Sequence, residues 1–254
     1  GGKMYESEWD EYPKKEERWR VRPGKESGFL EEVKIDARED DDADWHTVSY
    51  CLDMLKRLEV GHDNPIINPL FLTCGIVKPH LPWTVPRRYY SMYPREDIQL
   101  PPHIDTDLND CPTYAVTHMA RPETAHADIR RLQRWEDAVQ SYLATIRYAD
   151  MNIGRLLDGY DQLSESIRNN TIIVLFSDHG WTLGQKEHWR KITLWEEATS
   201  VPFIVVAPGV TAAGSVSHRP VDLMSIYPTL CDLVGLDVPD HVDGVSIRRI
   251  LEDS

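Results

Sequence analysis

Thr171-Ile172-Ile173-Val174-Leu175-Phe176-Ser177-Asp178-His179-Gly180-Trp181-Thr182-Leu183-Gly184 decides how the rest of the chain is read. Ile172 to Phe176 is an unbroken apolar run in which three residues are β-branched. Such a run predicts a strand buried on both faces, as in a parallel sheet covered by helices. Asp178 and His179 follow at once, which puts a carboxylate and an imidazole just past the carboxyl end of that strand, where open α/β sheets place their ligands. The pair offers an oxygen and a nitrogen to a metal, and Gly180 and Gly184 let the backbone turn. A polar strand-to-loop turn with a capping Asp fits the same residues.

Helical and extended patterns surround this stretch. Upstream, Val48, Cys51, Leu52, Leu55 and Leu58 recur at helical spacing and predict a helix over Trp45 to Glu59, with Asp44 as its cap and Gly61 at its end. Pro69 to Val77 is a second strand candidate. It runs into Lys78-Pro79-His80-Leu81-Pro82-Trp83, where two prolines stiffen the backbone on either side of a histidine. This is either a well-aimed side chain or a proline-rich surface turn. Residues 84–134 are irregular and of a length that often belongs to a substrate cleft. An apolar face from Ala138 to Leu157 predicts a helix over Trp135 to Tyr160, with Asp150 and Asn152 as structural residues.

Beyond the central stretch, residues 185–198 form a polar, basic loop. Its Lys186, His188, Arg190 and Lys191 either meet an anion or are ordinary surface charges. Val201 to Pro208 reads as another buried strand, ended by Pro208-Gly209. Pro220 to Val234 reads as a helix with Pro220 in its first turn, a kink at Pro228 and Gly235 at its end. His218 and Asp222 are capping and packing residues near its start. The tail reads as loop and short helix. Strand–helix alternation gives the fold class: α/β, a central mostly parallel sheet with helices on both faces.

Composition narrows the function. With 42 acidic against 28 basic residues and a net charge of −14, general nucleic-acid binding is not expected. Apolar residues make up 41% of the 254, enough for a core. Cys51, Cys74, Cys111 and Cys231 form no CxxC pair, which argues against a zinc site and leaves one or two disulfides open. No run of 18 apolar residues predicts a membrane span. The acidic run Glu39-Asp40-Asp41-Asp42 reads as a solvated loop rather than a metal site. Gly1-Gly2-Lys3-Met4 turns polar at once and gives no signal peptide; without an initiating Met it suggests a fragment or a processed chain.

Taken together, these motifs resemble the sulfatases of the alkaline-phosphatase superfamily, the iduronate-2-sulfatase-like group in particular. The resemblance rests on Gly2-Lys3-Met4-Tyr5, on Lys78-Pro79-His80-Leu81-Pro82-Trp83, and on Tyr142 to Leu157. It continues through Ser177 to Gly184, Trp189-Arg190-Lys191, Val201-Pro202-Phe203-Ile204 and Tyr227-Pro228-Thr229-Leu230. It implies an alkaline-phosphatase-like sulfatase core and a calcium-dependent hydrolase of sulfate esters. Asp178 and His179 match two metal ligands, and Lys3 the lysine that polarises a formylglycine nucleophile. His80 and Lys191 match the pair that grips the ester, and Trp189 stands beside them as a substrate contact. A metal and lysines would neutralise charge that gathers on sulfate oxygens, and an imidazole can protonate a leaving alcohol.

The chain departs from the family pattern in places. No Cys or Ser begins a C/S-x-P-x-R motif, because in Ser91-Met92-Tyr93-Pro94-Arg95 the proline comes one place late. The family's Asp-Asp metal pair also has no counterpart, and Asp40-Asp41-Asp42 is no substitute. Glu6 and Lys186 stand where relatives often have His. The resemblance thus implies a partial sulfatase catalytic domain over residues 1–254. Its nucleophile segment would lie before Gly1, on this chain or on a separate one, and a C-terminal subdomain would lie after Ser254. The expected partner is a sulfated carbohydrate or other sulfate ester, and the expected location secreted, periplasmic or lysosomal. A non-catalytic relative that binds sulfated glycans through Lys3, Lys191, Trp189 and Trp195 is the first alternative. A phosphatase or phosphodiesterase of the superfamily is the second.

Overall fold

The computed structural model describes residues 38–60, 69–120 and 125–253. Lys3, Glu6 and Gly61 therefore lie outside the described residues. In chain order the elements are α1 (Ala43–Val60), α2 (Arg87–Tyr90), α3 (Ala125–Arg131), α4 (Trp135–Asp161), α5 (Glu165–Arg168), β1 (Ile173–Phe176), β2 (Thr182–Leu183), β3 (Trp189–Arg190), α6 (Glu196–Thr199), β4 (Phe203–Val206), α7 (Ile226–Val234) and α8 (Arg248–Glu252). The class is mixed α/β, and the chain divides into two units. One is Gly1–Leu163 with Thr182–Thr193; the other is Ser164–Trp181 with Leu194–Ser254.

In the first unit α1 and α4 form where the 3.6-residue periodicity places them, and they pack on each other. The Arg155 guanidinium locks this pair. It lies 3.3 Å from the Trp45 ring centroid, donates to Ser49 Oγ at 3.1 Å, and donates to Asn152 Oδ1 at 3.0 Å. Asn152 is fully buried and Asp150 pairs with Arg147 on the surface, so both are structural. Val85, Tyr89 and Tyr90 meet Ala144 and Tyr148 of α4 in an apolar cluster, with Tyr89 edge-on to Tyr148 at 5.4 Å. Burying a large apolar side chain such as Val85 contributes about 1.5–3 kcal/mol.

The cap of α1 is Asp42, not Asp44: Asp42 Oδ1 accepts from the Asp44 amide at 2.9 Å. Glu39 accepts from Tyr89 Oη at 2.6 Å and pairs with Arg88. Part of the acidic run is thus fastened to the fold rather than solvated. Pro69 to Val77, expected as a strand, forms no ladder among the described residues, and Phe71 and Val77 are exposed. An extended backbone becomes a strand only through a partner that hydrogen-bonds along it.

In the second unit β1 pairs with β4 from Ile173↔Val206 to Phe176↔Phe203, and the pairing is antiparallel. The β2–β3 pair of the first unit is also antiparallel. The parallel ladders expected from the apolar run are therefore not found among the described residues. Nor is β1 buried on both faces, since Phe176 is 49% exposed. Two β-strands joined by a long connection can pair in either direction, and apolar content does not encode which.

The helix expected from Pro220 begins later. Asp222 Oδ1 accepts from the Ser225 amide at 3.2 Å and opens a 3-10 turn, Leu223–Ser225, that leads into α7. Pro228 is then the third residue of α7, in the first turn, where no intrahelical amide bond is needed. Gly235 ends α7 with φ 74°, as its lack of a Cβ allows. α8 is tied back to α7: Ser246 Oγ donates to Asp232 Oδ2 at 2.6 Å and the Ile247 amide to Thr229 Oγ1 at 3.0 Å.

Candidate active site

The Ser177–Gly180 turn leaves β1 in a fixed shape. The Gly180 amide donates to the Ala198 carbonyl at 2.8 Å and the Trp181 amide to the Glu197 carbonyl at 2.7 Å. A Cβ on Gly180 would lie 2.1 Å from the Glu197 carbonyl oxygen, so this close approach needs glycine. Ser177 Oγ donates to the His179 carbonyl at 2.8 Å. His179 Nδ1 lies 2.9 Å from the Gly180 carbonyl, which can only accept, so Nδ1 carries the hydrogen. That leaves Nε2 facing Asp178 Oδ1 at 3.5 Å.

An imidazole whose Nδ1–H is spent on a backbone carbonyl presents Nε2 as a metal ligand does. An oxygen and a nitrogen so close, with the Asp178 side chain 80% exposed, fit one side of a cation site. They are two donors of the six to eight that calcium takes. Among the described residues no group of three or more His, Cys, Asp or Glu side chains comes together around a metal position.

His80 stands in the other unit, on a loop tied at both ends. The Val77 and Lys78 amides donate to Asp44 Oδ1 and Oδ2, each at 2.8 Å. Lys78 Nζ donates to the Pro82 carbonyl at 2.7 Å, and Trp83 Nε1 to the Pro79 carbonyl at 2.9 Å. His80 Nδ1 lies 2.8 Å from the Leu81 carbonyl, so here too Nδ1 carries the hydrogen and Nε2 is the other face of the ring. Lys78 itself is buried, which pushes its pKa down against the opposing pull of Asp42 and Asp44.

Lys191 follows β3 directly. The turn before it is held in left-handed backbone at Gly184, Lys186, Glu187 and Arg190, with φ of 110°, 48°, 54° and 81°. Three of these are not glycine, and such strain persists only where the surroundings impose it. Here Trp135 Nε1 donates to the Leu183 carbonyl at 2.7 Å, and the Gly184 amide to the His188 carbonyl at 2.9 Å. Lys186 Nζ pairs with Asp107 at 2.8 Å, which raises its pKa.

Trp189, expected as a substrate contact, is only 4% exposed and its Nε1 donates to His126 Nδ1 at 3.2 Å. Its ring anchors the turn from inside instead of forming a sugar platform. His126 is buried too, and burial pushes its pKa down to about 4, with Arg130 and His103 adding to the effect. The structure thus brings Asp178 and His179 together and places His80 and Lys191 on two separate, tightly held segments. Sequence reasoning missed the supporting residues Asp44, Lys78 and His126. For Asp44 the only signal was its place at the head of α1, which pointed to capping.

Residues 14–236 match the Sulfatase family model. The chain is 36% identical over 185 residues to a sulfatase of Formosa agariphila, a match covering 72% of this chain and 36% of that protein. To human iduronate 2-sulfatase it is 34% identical over 212 residues, covering 68% of this chain and 37% of that one. It therefore spans little more than a third of the length of these relatives. Among solved structures, the phosphonate monoester hydrolase of Silicibacter pomeroyi superposes with a TM-score of 0.69 at 25% identity, covering 86% of this chain and 43% of that one. A protein solved with its substrate D-glucosamine-2-N,6-O-disulfate superposes with a TM-score of 0.62 at 21% identity, covering 82% and 52%. With the fold shared and the family model spanning most of its residues, the chain belongs to the sulfatase family.

Proposed function

We propose that residues 1–254 are part of the catalytic domain of a sulfuric ester hydrolase that acts on sulfated sugars. The observation that carries this reading is the Asp178–His179 pair just past β1, with the His179 tautomer set for ligation. The names of relatives support it: human iduronate 2-sulfatase by sequence, and a protein that takes a disulfated glucosamine by fold. Asp178 and His179 would hold one side of a calcium ion, with further donors from outside the described residues. Calcium, when bound, would add positive charge where the sulfate oxygens sit.

The remaining work falls to the chain's own side chains. Lys191 places an ammonium against the ester oxygens as charge builds on them. His80, with Nδ1–H fixed on the Leu81 carbonyl, exchanges its proton at Nε2, the atom that would meet the leaving oxygen. Lys3 polarises the nucleophile. The chain contains no C/S-x-P-x-R sequence, so in this proposal the formylglycine comes from outside these 254 residues.

The likeness to a phosphonate monoester hydrolase favours a second reading, in which the same residues grip a phosphonate or phosphate ester. The full-length protein, offered an aryl sulfate and the matching aryl phosphonate, separates the two. Faster release from the sulfate supports the sulfatase. Preference for the phosphonate supports the second reading, and turnover of neither refutes both.

A further inference from the structure

We propose that Asp44 is a positioning residue for His80, acting through the amides of Val77 and Lys78 and through the Lys78 side chain. This rests on the role proposed above for His80. Asp44 is the second residue of α1 and is 1% exposed. Capping does not explain it, because Asp42 already caps the helix. Both Asp44 oxygens are spent on the loop instead, one on each of two consecutive amides. The positive end of α1 favours the anion in that place, and bonds to an ionised carboxylate are about twice as strong as neutral ones.

The grip continues to the far end of the loop. Lys78 is buried with its ammonium on the Pro82 carbonyl and lies 3.8 Å from Asp42 Oδ2. His80 therefore sits between two proline-fixed points whose ends are joined by one side chain. Its own amide donates back to the Val77 carbonyl at 2.9 Å. Burying a carboxylate and an ammonium is a costly way to gain stability alone, since well-packed apolar residues do it as well. A buried pair that holds two backbone amides and a carbonyl does what apolar residues cannot: it fixes where the loop tip stands. A shift of about 1 Å in a catalytic group can lower a rate by about a hundredfold.

The test is a double-mutant cycle in the full-length protein with an aryl sulfate. Asp44→Asn cannot accept from both amides and is expected to lower kcat about 10- to 100-fold while KM changes by less than about threefold. In a His80→Ala background the same change is expected to cost nothing further. Lys78→Met should behave like Asp44→Asn and carries the test if the latter does not fold. Asp53→Asn, on the exposed side of α1, is the control. An equal loss with and without His80, or kcat within twofold of wild type, overturns the proposal.

Nitrogen-15 spectra of the histidines read the same point without turnover. The His80 signal is expected to hold the Nδ1–H tautomer in wild type and to average between tautomers in Asp44→Asn. An unchanged His80 signal overturns the positioning role. A wild type that releases no sulfate but shows the tautomer shift overturns only the sulfatase reading.

Discussion

Lowering the pH should unlatch the interior of the first unit at His126. Its Nδ1 accepts the Trp189 indole hydrogen at 3.2 Å, and its ring lies edge-on to Trp135 at 4.8 Å. Protonation would put a hydrogen on the accepting nitrogen and a charge beside Arg130, in a site where the ring is 5% exposed. Burial accordingly pushes its pKa down to about 4, against about 6.5 for a free imidazole. The folded state keeps His126 neutral while the unfolded chain takes up a proton. The associated stability is complete above pH ~6.5 and is lost as the pH falls from there towards ~4. A difference of about 2.5 units corresponds to about 3 kcal/mol in full, of which about 2 kcal/mol is gone at pH ~5.

The comparison is with His126→Gln, which keeps an acceptor for Trp189 but does not titrate. Urea unfolding followed by tryptophan fluorescence at pH ~7.5 and ~5 reads the difference, because Trp135 and Trp189 flank the site. Wild type is expected to lose about 2 kcal/mol more than the variant over that range. Equal losses in the two proteins would refute the assignment of a buried neutral imidazole.

Two further outcomes follow from local geometry. Gly180→Ala is expected to destabilise the second unit by about 2 kcal/mol, because the new methyl meets the Glu197 carbonyl; an unshifted melting temperature would contradict the close approach. Asp222→Ala removes the acceptor for the Ser225 amide and should cost about 1 kcal/mol in chemical denaturation, whereas a neutral result would mean the cap contributes nothing.

What the sequence made legible was local. The β-branched run at Ile172–Phe176 gave β1, and Asp178 and His179 stand just past its end as expected. The apolar spacing in α1 and α4 set both helices to within a few residues. What it left hidden depends on partners far along the chain. The direction of β1 is set by β4, and Pro69–Val77 forms no ladder among the described residues because a ladder needs a partner strand. Trp189 looks like an exposed aromatic in a basic loop until His126, 63 residues earlier, takes its indole hydrogen. Asp44 has the spacing of a cap, and only the fold shows that it reaches amides 33 and 34 residues away. α7 starts later than its sequence pattern suggests for a local reason: the Asp222 turn lies between Pro220 and the first full helical residue.

The central claim is tested most directly by measuring inorganic sulfate released from a sulfated disaccharide by the full-length protein. Wild type is assayed beside Asp178→Ala and His179→Ala, with calcium present and with calcium chelated. The account expects release by wild type with calcium, and loss of at least about a hundredfold on chelation or in either variant. Release that survives chelation and both substitutions would contradict it.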